Sequence, residues 1–195
     1  MNELKFPLVN RARFKIPEDS EVVYDNDGIF KMYRYPQAQF NGTTKIYEHT
    51  ELLDASFTFA IRDGKILFSE QMQAGNPRPF YSMLGGFVER GEDPLAAAKR
   101  ELAEEGAVES DDWFKLFEYN KSDKMAHTEH VYIARGCRNI GEQKLDSSEK
   151  IKLLELTPKE FVNEMLYHPD FREGWLLQFF SPRFTPAMLI EMLEN

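Results

Sequence analysis

Along this chain apolar positions first recur every second residue and only later every third or fourth, which orders strands ahead of helices. Arg11-Ala12-Arg13-Phe14-Lys15-Ile16, Glu21-Val22-Val23-Tyr24 and Ile29-Phe30-Lys31-Met32-Tyr33 carry β-formers, and Pro17, Asn26-Asp27-Gly28 and Pro36 punctuate them. The opening, to about residue 50, therefore reads as short strands. The clearest hairpin follows: Ser56–Arg62 alternates apolar and polar, Asp63-Gly64 suits a two-residue turn that needs positive φ, and Lys65–Ser69 returns. Residues 74–79 read as a loop. A helix is predicted from about Pro94 to Glu105, with Asp93 as N-cap, Pro94 at the first position, Leu95, Ala98 and Leu102 on one face, and Gly106 as the stop. Strands are expected around 113–119, 129–135 and Ile151–Leu156, with mostly loop from Gly136 to Ser148. The last forty residues change period: Thr157-Pro158-Lys159-Glu160 is a capping box ahead of Phe161, Val162, Met165 and Leu166, and Thr185-Pro186 opens a final helix. Strands with segregated helices and one central helix predict an α+β fold around a mixed sheet.

Composition narrows the function classes. The 195 residues suit one domain with room for an appendage, or at most two small domains, and no repeat or low-complexity tract divides them. An excess of acids gives a net charge of −9, so the global positive field expected for wrapping nucleic acid is missing. The single cysteine, Cys137, rules out an internal disulfide and a four-cysteine zinc site, and fits a reducing compartment. The first residues lack a basic region followed by a long apolar run, and no apolar stretch approaches the length that spans a bilayer. The expectation is a soluble cytoplasmic protein.

Candidate chemistry concentrates in residues 85–108. At roughly 100° per residue, Glu104 and Glu105 fall to either side of Glu101, so three carboxylates crowd a narrow arc near a helix C-terminus. Like charges at these spacings cost roughly 0.2–0.5 kcal/mol per pair, and the macrodipole adds to the penalty. A divalent cation with oxygen ligands, Mg²⁺ or Mn²⁺, would offset it, whereas a solvated acidic face is the plainer explanation. The preceding loop favours the ligand: Gly85, Gly86 and Gly91 let backbone approach closely, Glu92 sits at the loop–helix junction, and Arg100 can hold acidic neighbours.

This stretch resembles the box of the Nudix hydrolases, G-x5-E-x7-R-E-U-x-E-E-x-G-U with U aliphatic. Gly86, Glu92, Arg100, Glu101, Leu102, Glu104, Glu105 and Val108 match, and Ala107 replaces the last Gly. The resemblance implies an α/β/α sandwich of the Nudix type and metal-dependent hydrolysis of a nucleoside diphosphate linked to another moiety. It implies that Glu101 and Glu105 are the principal metal ligands, with Glu104 and the carbonyl of Gly85 as further ones. Arg100 would orient the glutamates and Glu92 would support them. In the branch that cleaves ADP-ribose and nucleotide sugars, which the layout resembles most, a loop glutamate after the box serves as base. Glu149 sits in a similar place, with Glu142 as runner-up. That branch also uses N-terminal strands to dimerise, which implies residues 1–50 as a dimerising β region and 51–195 as the hydrolase domain with C-terminal helices from about 157. It commonly has Gln-x-Arg after the hairpin and Glu-Leu-Pro before the box. Here Gln71-Met72-Gln73 and Ser82-Met83-Leu84 stand instead, so Gln73, Arg78 and Tyr81 are the substrate-contact candidates. Phe80 and Trp175 could also stack on a base or sugar. Cleavage of nucleoside triphosphates and nucleotide sensing without turnover are the competing readings.

Two other features are set aside. His127 and His130 would point to opposite faces of a strand, which disfavours zinc. The apolar run Trp175–Phe180 is either core or an oligomer contact.

Overall fold

The computed structural model describes residues 14–76, 78–120 and 122–195. Its first strands are β1 (Glu21–Asn26), β2 (Phe30–Ala38) and β3 (Thr44–Leu52), followed by the hairpin β4 (Ala55–Arg62) and β5 (Lys65–Gln73). Then come β6 (Phe80–Ser82), β7 (Leu84–Phe87), the helix α1 (Pro94–Gly106), β8 (Val108–Glu109), β9 (Asp112–Asn120), β10 (Met125–Ala126), β11 (Thr128–Arg135), β12 (Arg138–Asn139) and β13 (Glu149–Leu156). The chain closes with α2 (Pro158–Asn163), 3-10 turns at Met165–Tyr167 and Gly174–Phe179, and α3 (Pro186–Glu194).

The central sheet has the order β13-β5-β4-β11-β9, with β6 added to β5 and β7 to β4. Its β4–β11 pair is parallel and its other pairs are antiparallel, so the sheet is mixed. One face presents Phe57, Phe59, Ile61 and Phe68, packed under Phe161, Leu166, Leu176, Phe179, Leu189 and Leu193 of the C-terminal segments. The opposite face presents Ala60, Leu67 and Ala134 to Leu102 of α1 and to Leu84. Helices thus cover both faces, which is the expected α+β sandwich. This corrects one simple inference from alternation. Ser56 and Thr58, the polar positions of β4, are buried rather than exposed. Small side chains there let α1 lie close, and Ser56 Oγ donates to Pro94 O at 2.8 Å.

The hairpin turn forms as its residues demand, with Asp63 and Gly64 at φ 51° and 73°. α1 is capped by Asp93, whose carboxylate accepts from the amides of Leu95 and Ala96. Its end differs from expectation. Gly106 is still helical, and a Cβ there would lie 2.9 Å from Leu84 Cδ1, so the missing side chain serves packing. The left-handed stop falls on Ala107, at φ 49° and ψ 34°. The box's one departure is therefore a non-glycine residue carrying a glycine conformation.

The N-terminal strands form a separate sheet of order β1-β2-β3-β10. β10 pairs in parallel with β3, Met125 opposite Thr50, and so ties this sheet to the rest of the chain. β3 escapes the sequence pattern because its positions are mostly polar and exposed. Pro36 does not end β2. The pairing with β1 stops at Arg34, so among the described residues no strand lies on that side of Pro36 to receive an N–H. Of the strand expected at 11–16, residues 11–13 lie outside the described residues, and Phe14–Ile16 are not strand. The Phe14 ring stacks instead on His49, centroids 3.8 Å apart. Among the described residues no helix is long and apolar enough to cross a membrane.

Candidate active site

A cavity of about 530 Å³ opens where β7 meets α1. The β4–β7 pairing sets its floor. Gly85 lies opposite Phe57 at φ 153°, and a Cβ there would stand 2.1 Å from Ser56 O, so only glycine fits. At Gly86 a Cβ would lie 2.5 Å from Glu101 Oε1; this glycine makes room for the carboxylate.

α1 then delivers its acids by phase. Arg100 is the hub. It grips Glu92 through Nε and Nη2, both at 3.1 Å, Glu101 through Nη1 at 2.7 Å, Glu104 through Nη1 at 3.1 Å, and the Phe87 carbonyl at 2.9 Å. These partners raise the guanidinium's pKa, the Glu92 hydrogen bond most of all, and the same bond lowers that of Glu92. Burial raises the Glu101 carboxyl above its ordinary value against the pull of Arg100.

Glu105 is buried on the inner side. Gly85 N donates to its Oε2 at 2.8 Å and Gln71 Nε2 to its Oε1 at 3.2 Å. Burial pushes its pKa up to about 8, with the negative charges of Glu101 and Glu149 adding to the effect. The carbonyls at the end of α1 find partners in the 136–148 loop: Lys144 N bonds Glu104 O, Gln143 Nε2 bonds Glu105 O, and Ile140 N bonds Ala107 O. That loop leads to Glu149, which opens β13 opposite Gln73. Gln73 Nε2 donates to Glu149 Oε1 at 3.3 Å.

The fold thus brings Gly85, Arg100, Glu101, Glu104, Glu105, Gln73 and Glu149 to one cavity. Arg78 and Tyr81 do not line it. Arg78 is exposed, and Tyr81 turns toward the helical layer, packed on Phe68 and His168. Glu142 is exposed and lies off the cavity wall; Phe80 and Trp175 are half-buried and do not line it either. Trp175 is core, packed edge-on against Phe57 and Phe117 and stacked on Tyr119.

A model of the NUDIX domain matches residues 52–177, about two thirds of the chain. The chain belongs to the Nudix hydrolase family. A curated relative, the methanol dehydrogenase activator of Bacillus methanolicus, is 32% identical over 123 residues. That match covers 62% of this chain and 66% of the relative, so the chain spans just under two thirds of the relative's length. A solved structure described as an ADP compounds hydrolase has the same fold at 19% identity, with a TM-score of 0.68 over 90% of this chain and 92% of that one.

The Nudix acids suit a divalent cation by two observations: oxygen donors meet at a glycine notch that a Cβ would fill, and the buried Glu105 carboxyl is destabilised as an anion until a positive charge arrives. Among the described residues no three His, Cys, Asp or Glu side chains already surround one point, because Arg100 supplies the positive charge for Glu101 and Glu104. Sequence reading missed three Nudix-site residues. Gln71 orients Glu105, Arg172 lines the cavity, and Glu173 is fully buried beside it. Gln71 was visible in Gln71-Met72-Gln73; nothing in the local sequence marks the other two.

Proposed function

We propose that this Nudix hydrolase cleaves the diphosphate bridge of a nucleoside diphosphate linked to a sugar or similar moiety, of the ADP-ribose type. The products are a nucleoside monophosphate and a phosphorylated fragment. The observation that carries this reading is the meeting of Glu101, Glu104, Glu105 and the Gly85 backbone with Glu149 around one cavity. The fold shared with an ADP compounds hydrolase supports the substrate class.

Glu101, Glu104, Glu105 and the Gly85 carbonyl would hold Mg²⁺ or Mn²⁺. Such an ion, when bound, neutralises diphosphate oxygens and eases deprotonation of water. Arg100 keeps Glu101 and Glu104 in place, and Gln71 and the Gly85 amide orient Glu105. Glu149, steadied by Gln73, accepts the proton of the water that attacks phosphorus. The bridging P–O bond breaks, and its electron pair leaves with the departing phosphate.

A homodimer belongs to the same reading. The N-terminal sheet and its turns expose Val22, Tyr24, Phe40, Ile46 and Tyr47, a surface suited to a second copy. The buried, lone Cys137 suits a reducing, cytoplasmic setting.

The test is a product assay with Mg²⁺ on ADP-ribose, nucleotide sugars, dinucleoside polyphosphates and nucleoside triphosphates. Release of a nucleoside monophosphate plus a sugar phosphate supports the proposal. Inorganic pyrophosphate from triphosphates alone would replace it with the triphosphatase reading. A folded protein that binds these ligands without turning any over would make it a sensor.

A further inference from the structure

The cavity wall carries six carboxylates, Glu89, Glu101, Glu104, Glu105, Asp146 and Glu149, and three cations, Arg100, Lys144 and Arg172. An anionic substrate entering such a wall needs a cation of its own. Arg100 is committed to Glu92, Glu101, Glu104 and the Phe87 carbonyl. Lys144, exposed like Arg172, carries a compact ammonium that cannot offer two parallel hydrogen bonds to phosphate oxygens. Arg172 is different. Its guanidinium lies 4.0 Å from the centroid of the Phe80 ring and spends one N–H on Gln73 Oε1, at 3.1 Å. A guanidinium has five donors, so donors remain for a ligand.

The backbone explains how a residue so far along the chain arrives there. Residues 170–172 are clipped to β6 by one isolated parallel bridge set between turns. Tyr81 N bonds Asp170 O, Arg172 N bonds Tyr81 O, and Tyr81 bridges Phe171. Glu173 then goes inward, fully buried, and takes Ser82 Oγ on Oε1 and Met83 N on Oε2, each at 2.9 Å. Arg172 and Glu173 are the central residues of a turn closed by Gly174 N on Phe171 O at 3.3 Å, and they leave it in different directions, Glu173 into the core and Arg172 to the cavity wall. A carboxylate is costly to bury unless it is hydrogen-bonded, and here both oxygens are. The residues it holds, Ser82 and Met83, run directly into Gly85. The strap and the glycine floor of the site are therefore one hydrogen-bonded unit.

We infer that Arg172 is the residue of this chain that grips the diphosphate of the substrate, and that Glu173 is its positioning residue. The inference rests on the proposed diphosphate substrate and adds the group that recognises it. A planar guanidinium can hold phosphate oxygens with two parallel hydrogen bonds, which a lysine in its place cannot.

The experiment measures calorimetric binding of α,β-methylene ADP with Mg²⁺, alongside steady-state kinetics on the best substrate. Arg172→Met should weaken α,β-methylene ADP at least about ten-fold, leave adenosine binding unchanged and raise KM more than it lowers kcat. Arg172→Lys should recover only part of the loss. The backbone clip to Tyr81 does not use the Arg172 side chain, so both variants should melt like the wild type; if the Met variant does not fold, the Lys variant reads the same effect. Glu173→Ala should raise KM in the wild-type background and not in the Arg172→Met background, with Glu173→Gln restoring it. A merely structural Glu173 would cost the same in both backgrounds. Equal affinity of wild type and Arg172→Met would overturn this inference alone. A wild type that neither binds α,β-methylene ADP nor hydrolyses any diphosphate would overturn the substrate reading, and this inference with it.

Discussion

The site has two walls built in opposite ways. One runs unbroken from Leu84 through Glu105: strand, glycine floor, Arg100 hub and acidic helix face, within about two dozen residues. The other is assembled from Gln71 and Gln73 on β5, Glu149 at the start of β13 and Arg172 on the C-terminal strap, spread over about a hundred residues. The first wall holds itself by local bonds, Arg100 to Glu92 and Glu104 along one loop and helix. The second exists only because β5 pairs with β13 in one register, Gln73 opposite Glu149, and because Glu173 is buried under β6. On the proposed reading, metal binding falls to the contiguous wall, and the groups that would choose and activate a substrate fall to the discontinuous one.

The sharpest way to break this division is on the contiguous wall. Glu105→Gln removes an anionic ligand atom while its amide oxygen can still accept from Gly85 N, so kcat should fall at least about 10²-fold and Mg²⁺ binding should weaken with it. Unchanged turnover and titration would take Glu105 out of the site. On the other wall, Glu149→Gln should lower kcat by about 10²-fold with Mg²⁺ binding retained, and Glu142→Gln should change it less than about two-fold. Single-turnover rates and metal titrations on the pair separate base from ligand, and the reverse ranking would assign the base to Glu142.

The pH dependence sharpens the electrostatic side. Glu105, pushed up to about 8, and Glu173, pushed up to about 7 by full burial, keep protons in the folded metal-free chain. The unfolded chain releases them near the ordinary value of 4.5. The folded state therefore binds more protons between these values. The stability these two groups contribute is fully present below about 4.5 and is lost progressively as pH rises to about 7 for Glu173 and about 8 for Glu105. Tm of the metal-free protein should fall across that window. Mg²⁺ should raise Tm more at pH 8 than at pH 6, because at the lower pH it must first displace the Glu105 proton. A metal-induced shift independent of pH would count against a buried Glu105 ligand.

The smallest effect belongs to the helix stop. Ala107 adopts a left-handed conformation that costs an L-residue roughly 1 kcal/mol, so Ala107→Gly should stabilise the chain by up to about 1 kcal/mol and leave kcat unchanged. Denaturant titration reads this directly. A loss of stability would mean that the buried Ala107 methyl contributes more than the backbone strain takes away.

Several particulars explain what could be read before any fold was known. The Asp63-Gly64 turn, the Asp93-Pro94 cap and the Thr157–Glu160 capping box each depend on residues within about four positions, and all three form as expected. The crowding of Glu101, Glu104 and Glu105 follows from helical phase alone. By contrast, β3 was hidden because its polar positions break the apolar alternation, and what holds them is pairing with β2, both backbone and side-chain, as in Tyr33 to Glu51 and Arg34 to Glu48. Arg78 and Tyr81 were attractive by nearness in sequence to Gln73, yet the loop after β5 leads Arg78 out to solvent and the β6 register turns Tyr81 to the core.

By itself, then, the amino-acid sequence determined the elements whose geometry is local, and with them the Nudix box: in a helix or a tight turn, neighbours within a few residues are placed by φ and ψ. Only the tertiary structure decided which distant groups face that box. Sheet register set Gln73 against Glu149, the covering of both sheet faces buried Ser56 and Thr58, and the backbone clip to Tyr81 set Arg172 at the cavity. Those placements come from the packing and hydrogen bonding of the whole chain, a balance that no short window of sequence contains.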